Sequence, residues 1–426
     1  MTRMKDSGIE WIGEVPEDWG IKPIKHIFGA IGSGTTPDSS KVEYYDGNIN
    51  WLQSGDLYKK DYVYAVSKTI TDLGYRSSAS LRIYQAPFLA IAMYGASIGN
   101  LAISKIDACV NQAVAVLKGE ENIVRFAKLA LEISKTELIF AAQGGTQPNI
   151  NQVLIKNWVI PFPSEIEIKK IADFLDKKVA QLDKVKSLLE EQIKTLEDYR
   201  KSLIYQTVTK GLDKTVPLKD SGVDWIGQIP EGWGVKPIKY LVTYDDEVLT
   251  QSVINSNKLI NYVDIGSVNL VDGISKYQEL STLDAPSRAR RVAQKGDTII
   301  STVRTYLKAI AFVEDDYIVS TGFCVLRPRK INNRYFNYAI MSNSFTELVS
   351  KYAWGVSYPA ISASQLVNIP VSYPKSANEQ ILIADFLDKK TEQINQMIAI
   401  KKEQIENINK QRQTLIYDYV TGKRRV

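Results

Sequence analysis

From Glu165 to Lys210 apolar side chains return at a fixed interval. Leu175, Leu182, Leu189, Leu196 and Leu203 stand seven residues apart in a stretch without Pro or Gly. That spacing predicts a long helix with an apolar seam along one side. Ile171, Val185 and Tyr199, each three positions after a leucine or its equivalent, are expected to complete the seam. A lone helix gains too little from its own hydrogen bonds to hold one form, so the seam requires a partner. Residues 383–390 begin it: they read IADFLDKK, identical to 171–178, and KEQI at 402–405 answers EEQI at 190–193. LIYDYVTGK from Leu415 answers LIYQTVTKG from Leu203, and all three matches share an offset of 212 residues. The second helix keeps Leu387, Ile394, Ile408 and Leu415 on the seam and carries Lys401 where the first has Leu189. Two such helices, paired antiparallel as a coiled coil, would each span roughly 60 Å at about 1.5 Å per residue.

The repeat extends beyond the helices. Met4–Lys25 and Leu218–Lys239 are identical at 15 of 22 positions, including the paired tryptophans Trp11 and Trp19, Trp225 and Trp233. These tryptophans are expected to anchor the lead-in by packing. Between lead-in and helix the two copies diverge, yet each keeps one order. Short apolar runs (FLAIAMY and AVAVL in the first; NYVDIG, DTIISTV, KAIAFV and DYIVST in the second) predict strands around one amphipathic helix, at 123–140 and 334–353. The chain is therefore two tandem copies of an α+β plan. Its expected domains are 1–163, 164–211 (first long helix), 212–374 and 375–426 (second long helix). The second helix ends in TGKRRV, and joining that end to the N-terminus would make a junction like the internal one, so the order is circular and a pseudo-twofold arrangement fits it. Duplex DNA is a common ligand with that symmetry.

Composition narrows the function. A net charge of +5 permits nucleic acid without arguing for it. Cys109 and Cys324 each sit in an apolar run, which predicts buried free thiols in a reducing compartment. The start lacks the apolar core of a signal peptide, and the most apolar stretch is interrupted by Gly95, Gly99 and Asn100, so a cytoplasmic protein without a membrane partner is expected. His26 is the single histidine, which removes histidine-based acid–base chemistry and His-rich metal sites; it is placed in a strand. GAIGSGTT at 29–36 has P-loop spacing but Thr35 in place of the phosphate-binding lysine, so its glycines are read as turn or close-approach positions. No amino-methylation motif, cofactor loop or metal-nuclease carboxylate set is found. No catalytic and no metal-binding residue is expected.

The doubled lead-ins WIGEVPEDW and WIGQIPEGW, the opening GSGTTPDSSKVEYYDGNINWLQSGDL, the closures GGTQPNI and GVSYPAIS and the doubled IADFLDKK helices together resemble the specificity subunit of type I restriction-modification systems. The resemblance covers essentially the whole chain. It implies two mixed α/β target recognition domains in pseudo-twofold tandem, separated by two long antiparallel helices, and each reading half of a bipartite, asymmetric DNA target. It implies double-stranded DNA, two methyltransferase subunits and restriction subunits as partners. S-adenosylmethionine, ATP and magnesium would belong to those partners, and this chain would hold no cofactor and catalyse nothing alone. The alternatives are a coiled-coil protein scaffold or a self-sufficient DNA methyltransferase or nuclease. Basic and small polar residues supply the candidate DNA contacts. In the first body these are Lys59, Lys60, Arg76 and Arg82, with Gly145, Thr146 and Gln147 of the closing loop; in the second they are Arg288, Arg290, Arg291, Arg304 and Lys308, with Ser357 and Tyr358.

Overall fold

A computed structural model describes residues 3–142, 149–356 and 358–426. By its internal contacts the chain divides into two compact units, Met1–Leu189 with Glu403–Val426, and Glu190–Lys402. Each unit thus takes one body and half of each long helix.

The two bodies share the strand order at the centre of their main sheets and differ at the edges, with sheets of five and three strands in the first and two of four in the second. The lead-in of each forms a small antiparallel hairpin, Met4–Asp6 with Glu14–Pro16 and Leu218–Asp220 with Gln228–Pro230. Its next strand pairs with the segment just before the long helix: Gly20–Pro23 with Val159–Phe162, and Trp233–Pro237 with Pro370–Pro374. The closing segment therefore returns to the opening one. In the first body a five-stranded sheet is centred on Val114–Lys118 and Phe88–Ala92, and a three-stranded sheet sets Cys109–Val110 parallel to Tyr45–Leu52. The second body repeats this with Phe323–Pro328 and Thr298–Ser301 in one sheet and Leu259–Val263 parallel to Tyr317–Ser320 in the other. Phe88–Ala92 is buried at every position, which is why it reads as a continuous apolar run without alternation.

Two local expectations are corrected and a third holds. Each helix expected in a body is two helices, Glu121–Ile133 and Lys135–Ala141, Asn333–Met341 and Asn343–Tyr352. The breaks fall at buried Ser134 and Ser342, whose hydroxyls donate to the carbonyls of Ala130 (2.9 Å) and Ala339 (2.8 Å) and so compete with the helical ladder. His26 ends a 3₁₀ turn, Ile24–His26, and is exposed, so it belongs to no strand. Gly34 is a close-approach position as expected: a Cβ there would lie 1.8 Å from the Val110 carbonyl oxygen.

The long helices run unbroken over Glu165–Lys210 and Ala377–Val420. Within the first unit the Phe174 and Tyr419 rings lie 4.6 Å apart and Arg412 Nε sits 3.4 Å from Asp183, so advancing along one helix retreats along the other. Within the second, Arg200 bonds Asn395 and Lys401 donates to Gln192 at 2.6 Å, in the same antiparallel sense. The heptad positions Leu175, Leu182, Leu189, Leu196, Leu203, Leu387, Ile394, Ile408 and Leu415 are all buried or half-buried. Val185 and Tyr199 are not on the seam; they are 46% and 54% exposed. The alternate seam positions fall four residues after each leucine, at Val179, Lys186, Ile193, Arg200 and Thr207. Positions i+3 and i+4 both neighbour residue i on a helix, and spacing alone does not choose between them.

Repeated side chains fix each body to the helices. Trp19 and Trp233 are buried, and their indole N–H groups donate to Glu167 (3.1 Å) and Glu379 (2.9 Å). Arg125 bridges Asp173 (2.8 Å) and Asp176 (2.7 Å), and Arg334 likewise bridges Asp385 (2.6 Å) and Asp388. The aspartates are the two of each IADFLDKK copy. The Tyr205 hydroxyl reaches the Ile226 carbonyl 21 residues away at 3.4 Å, while Tyr417 makes the same bond to Ile12 across 405 residues at 3.1 Å. The circular order thus holds at the level of single hydrogen bonds.

Arg334→Met should leave Asp385 and Asp388 beside an apolar side chain and lower stability by about 1–3 kcal/mol. Chemical denaturation followed by tyrosine and tryptophan fluorescence checks this, and an unchanged midpoint would show the bridge to be ornamental.

Candidate nucleic-acid interface

In the second unit the basic cluster divides by what each guanidinium touches. Arg288 donates through Nε to the Tyr262 hydroxyl (3.1 Å) and pairs with Asp264 (2.7 Å), yet its side chain stays 58% exposed. Arg290 lies at a break in register between Ala289 and Arg291, where the strand Ala289–Ala293 meets Tyr317–Ser320. The extra residue at such a bulge is left out of the ladder; the Arg290 carbonyl accepts from Leu249 N–H (2.8 Å), and among the described residues its guanidinium bonds the carbonyl of Ser287, at 3.0 Å. Arg291 turns inward and pairs with Asp245, which removes it from the candidate surface. Arg327 is held by Asp297 (3.0 Å) and Glu247 (3.2 Å), and its hydrogen bond to Asp297 raises its pKa further above the usual arginine range.

Arg304 and Lys308 bracket the 3₁₀ turn Thr305–Leu307, both with left-handed backbone, φ 51° and 49°. Arg304 N–H donates to the Pro359 carbonyl (2.8 Å), which ties the turn to the closing segment. The Arg304 guanidinium stands 4.9 Å from the centre of the Tyr358 ring. Lys308 Nζ donates to Asn343 at 2.9 Å. Around them Tyr306, Leu307, Trp354, Val356 and Tyr358 are exposed, Trp354 by 81% and Tyr358 by 65%. These are two segments, tied by the bond from Arg304 to Pro359, on which aromatic rings and cations face water together.

The first unit is arranged differently. Lys59, with φ 53°, holds its ammonium 5.2 Å from the Tyr58 ring centre, and Lys60 follows it. Both line a cleft of about 200 Å³ with Asp61, Asn100, Lys128, Glu132 and Lys135. Arg76, the last residue of the short helix Asp72–Arg76, and Arg82 are exposed but do not line that cleft. Gly145, Thr146, Gln147 and Ser357 lie outside the described residues. Lysine and arginine counts could locate these clusters; they could not sort paired cations from free ones, because the partner aspartates Asp245 and Asp264 are far away in sequence.

Among the described residues no group of three or more His, Cys, Asp or Glu side chains could hold a metal ion, and no helix is long and apolar enough to cross a membrane. Burial pushes the thiols of Cys109 and Cys324 up to about 12, so both stay protonated. What the surface offers is cations, amides and aromatic faces, the means of binding a polyanion and its bases.

The comparisons with known proteins point to a DNA-specificity module present twice. A family model described as the type I restriction modification DNA specificity domain matches residues 16–197 and again 230–408. The chain belongs to that family. It is 23% identical over 434 residues to the type I restriction enzyme MjaVIII specificity subunit of Methanocaldococcus jannaschii, covering 97% of this chain and 94% of that one. A shorter match, 32% identical over 169 residues and 38% of each chain, is to the MjaIX specificity subunit of the same organism. Among solved structures, a chain described under complex assembly and conformational transition of the type I R-M system aligns over 95% of this chain and 98% of its own, with a TM-score of 0.72 at 15% identity. The HsdS subunit from Thermoanaerobacter tengcongensis aligns with a TM-score of 0.53 at 16% identity, over 96% of this chain and 98% of that one. The family supports DNA target recognition as this chain's role, carried out without catalysis of its own.

Two neighbouring arginines should therefore behave differently. Arg290→Ala is expected to weaken DNA binding and flatten its dependence on log salt by about one unit if it meets a phosphate. Arg291→Ala should instead lower the melting temperature by leaving Asp245 without its partner. Binding isotherms over a salt series, with thermal melts alongside, separate the two; the same salt slope in both variants would contradict the assignment.

Proposed function

We propose that this chain is the specificity subunit of a type I restriction-modification complex that reads a bipartite, asymmetric DNA target, each body reading one half. The observation that carries the reading is the doubled plan itself: the anchors Trp19 and Trp233, Arg125 and Arg334 recur, while the exposed loops they support differ between the copies. Repeated anchors suit two identical partners, and unlike loops suit two unlike half-sites. Two methyltransferase subunits would dock on the repeated parts. They would carry S-adenosylmethionine and methylate adenine. Restriction subunits would add ATP- and magnesium-dependent cleavage, and the assembly would work on DNA in the cytoplasm.

In this reading the chain's contribution is binding energy and register. Lys59, Lys60, Arg76, Arg82, Arg288 and Arg290 would neutralise phosphates with release of counterions. Gly145, Thr146, Gln147, Ser357 and Tyr358 of the two closing segments would face base edges or backbone. Because each long helix runs unbroken from one unit into the other, helix length would set the unspecified gap. One heptad adds about 10.5 Å of helix, or about three base pairs at 3.4 Å each.

Co-expression with its methyltransferase subunit, followed by genome-wide mapping of methylated adenines, is expected to give one bipartite motif with a fixed gap. Inserting one heptad in both helices should widen the gap by about three base pairs and leave both half-sites unchanged. An assembled, cofactor-binding complex that methylates no defined motif would favour a protein scaffold.

A further inference from the structure

The two units can be superposed in register through their backbone hydrogen bonds at one loop. Ala92 N–H donates to the Asn100 carbonyl (2.9 Å) as Ser301 N–H donates to that of Ala309 (2.8 Å). Ile98 N–H donates to the Gly95 carbonyl (3.1 Å) as Leu307 N–H donates to that of Arg304 (2.9 Å). Both pairs share an offset of 209 residues, which sets Gly95 opposite Arg304 and Gly99 opposite Lys308. All four residues are left-handed, with φ 78° and 72° in the first unit, 51° and 49° in the second.

Glycine adopts that backbone without penalty, whereas a long side chain is strained in it. At Gly95 a Cβ would meet nothing within 4 Å, so there the backbone alone requires glycine. The second unit keeps the same turn and places an arginine on it. Lys308 has a structural partner in Asn343 (2.9 Å), whereas among the described residues the Arg304 guanidinium has the exposed Tyr358 ring, 4.9 Å away, with exposed Trp354 and Tyr306 on the same two segments. A guanidinium laid on an aromatic face is held in one plane with its donor fork free. Apolar, aromatic surroundings favour base edges over a hydrated phosphate.

We propose that Arg304, preset by Tyr358 on a strained turn, reads a guanine in the half-site recognised by the second unit, through a bidentate contact to O6 and N7. This rests on the specificity-subunit reading above. The first unit, with Gly95 at the equivalent place, reads its half-site without a counterpart.

The test compares the methylated motif and the melting temperature of complexes carrying wild-type chain, Arg304→Gly, which installs the first unit's residue, and Arg304→Lys, which keeps the charge and the strain. Expected for both variants is a loss of roughly tenfold or more in discrimination at one G·C pair of one half-site, with the other half-site intact. Arg304→Gly should also melt no lower than wild type, since the strain is relieved. Uniformly weaker binding with an unchanged motif, with or without a smaller salt slope, would make Arg304 a phosphate contact and overturn the inference. Full retention of the motif by Arg304→Gly would overturn it too. If Arg304→Gly did not fold, Arg304→Lys alone would decide. A wild-type complex with no motif would overturn the specificity-subunit reading first, and this inference with it.

Discussion

Everything else in the molecule depends on how the long helices bury their apolar sides. In the first unit Ile168, Ile171 and Leu175 of one helix and Ile416 and Val420 of the other share a core with Val124, Phe126, Trp19 and Ile160 of the body. In the second, Ile204 and Val208 join Ile383 and Leu387 beneath Tyr335, Tyr338 and Trp233. A fully buried Ile or Leu side chain contributes about 1.5–3 kcal/mol, so neither body keeps a complete core without both helices. The contact division reflects this: each unit is a body with half of each helix. The chain therefore cannot be cut at a helix boundary into self-sufficient pieces, although the sequence invites that cut at 163 and 374.

That constraint explains which residues repeat and which diverge. Key anchors between a body and the helices recur, Trp19 and Trp233 on Glu167 and Glu379 and Arg125 and Arg334 on paired aspartates, and within the bodies Ser134 and Ser342 recur at the helix break. Elsewhere only topology survives. A sheet tolerates wide exchange of apolar residues provided that volume and pattern persist, and exposed loops tolerate more. The parts free to vary are those carrying the cations and aromatic faces. Variation of the exposed surface with constancy of the anchors beneath it follows from this division.

The architecture was largely legible in the sequence and the interface was not. Heptads, offsets and the tryptophans' packing role could be found because each leaves a periodic or repeated signal. The seam's second row was misplaced, since Val185 and Tyr199 are apolar at i+3 while the structure uses i+4 and accepts Lys186 and Arg200 there. Arg125 and Arg334 leave no repeated signal because the sequences around them diverge; the 209-residue offset shared by the backbone bonds of the two bodies brings them into correspondence. Among the candidate DNA contacts, Arg291 and Arg288 look alike as RARR in sequence. Their fates differ through Asp245, Asp264 and a bulge, none of which composition reveals.

The charged residues of the seam have a structural reason. A seam of Leu and Ile alone admits a slip of one heptad, because every apolar position finds another. Arg200 with Asn395 and Lys401 with Gln192 in the second unit, and Arg412 with Asp183 in the first, satisfy one another in a single register. Arg412 is tied further: it pairs with Glu132 of the body, which also holds Lys128, whose other partner is Asp61. With its side chain only 16% exposed, Arg412 displaced by seven residues would lose both carboxylates, and stranding a largely buried charge costs about 3–5 kcal/mol. The register of the helix pair is thereby locked to the position of the body. A partly polar seam costs stability compared with an all-leucine one, and what it secures is a fixed geometry between the helices and the surface that each body presents.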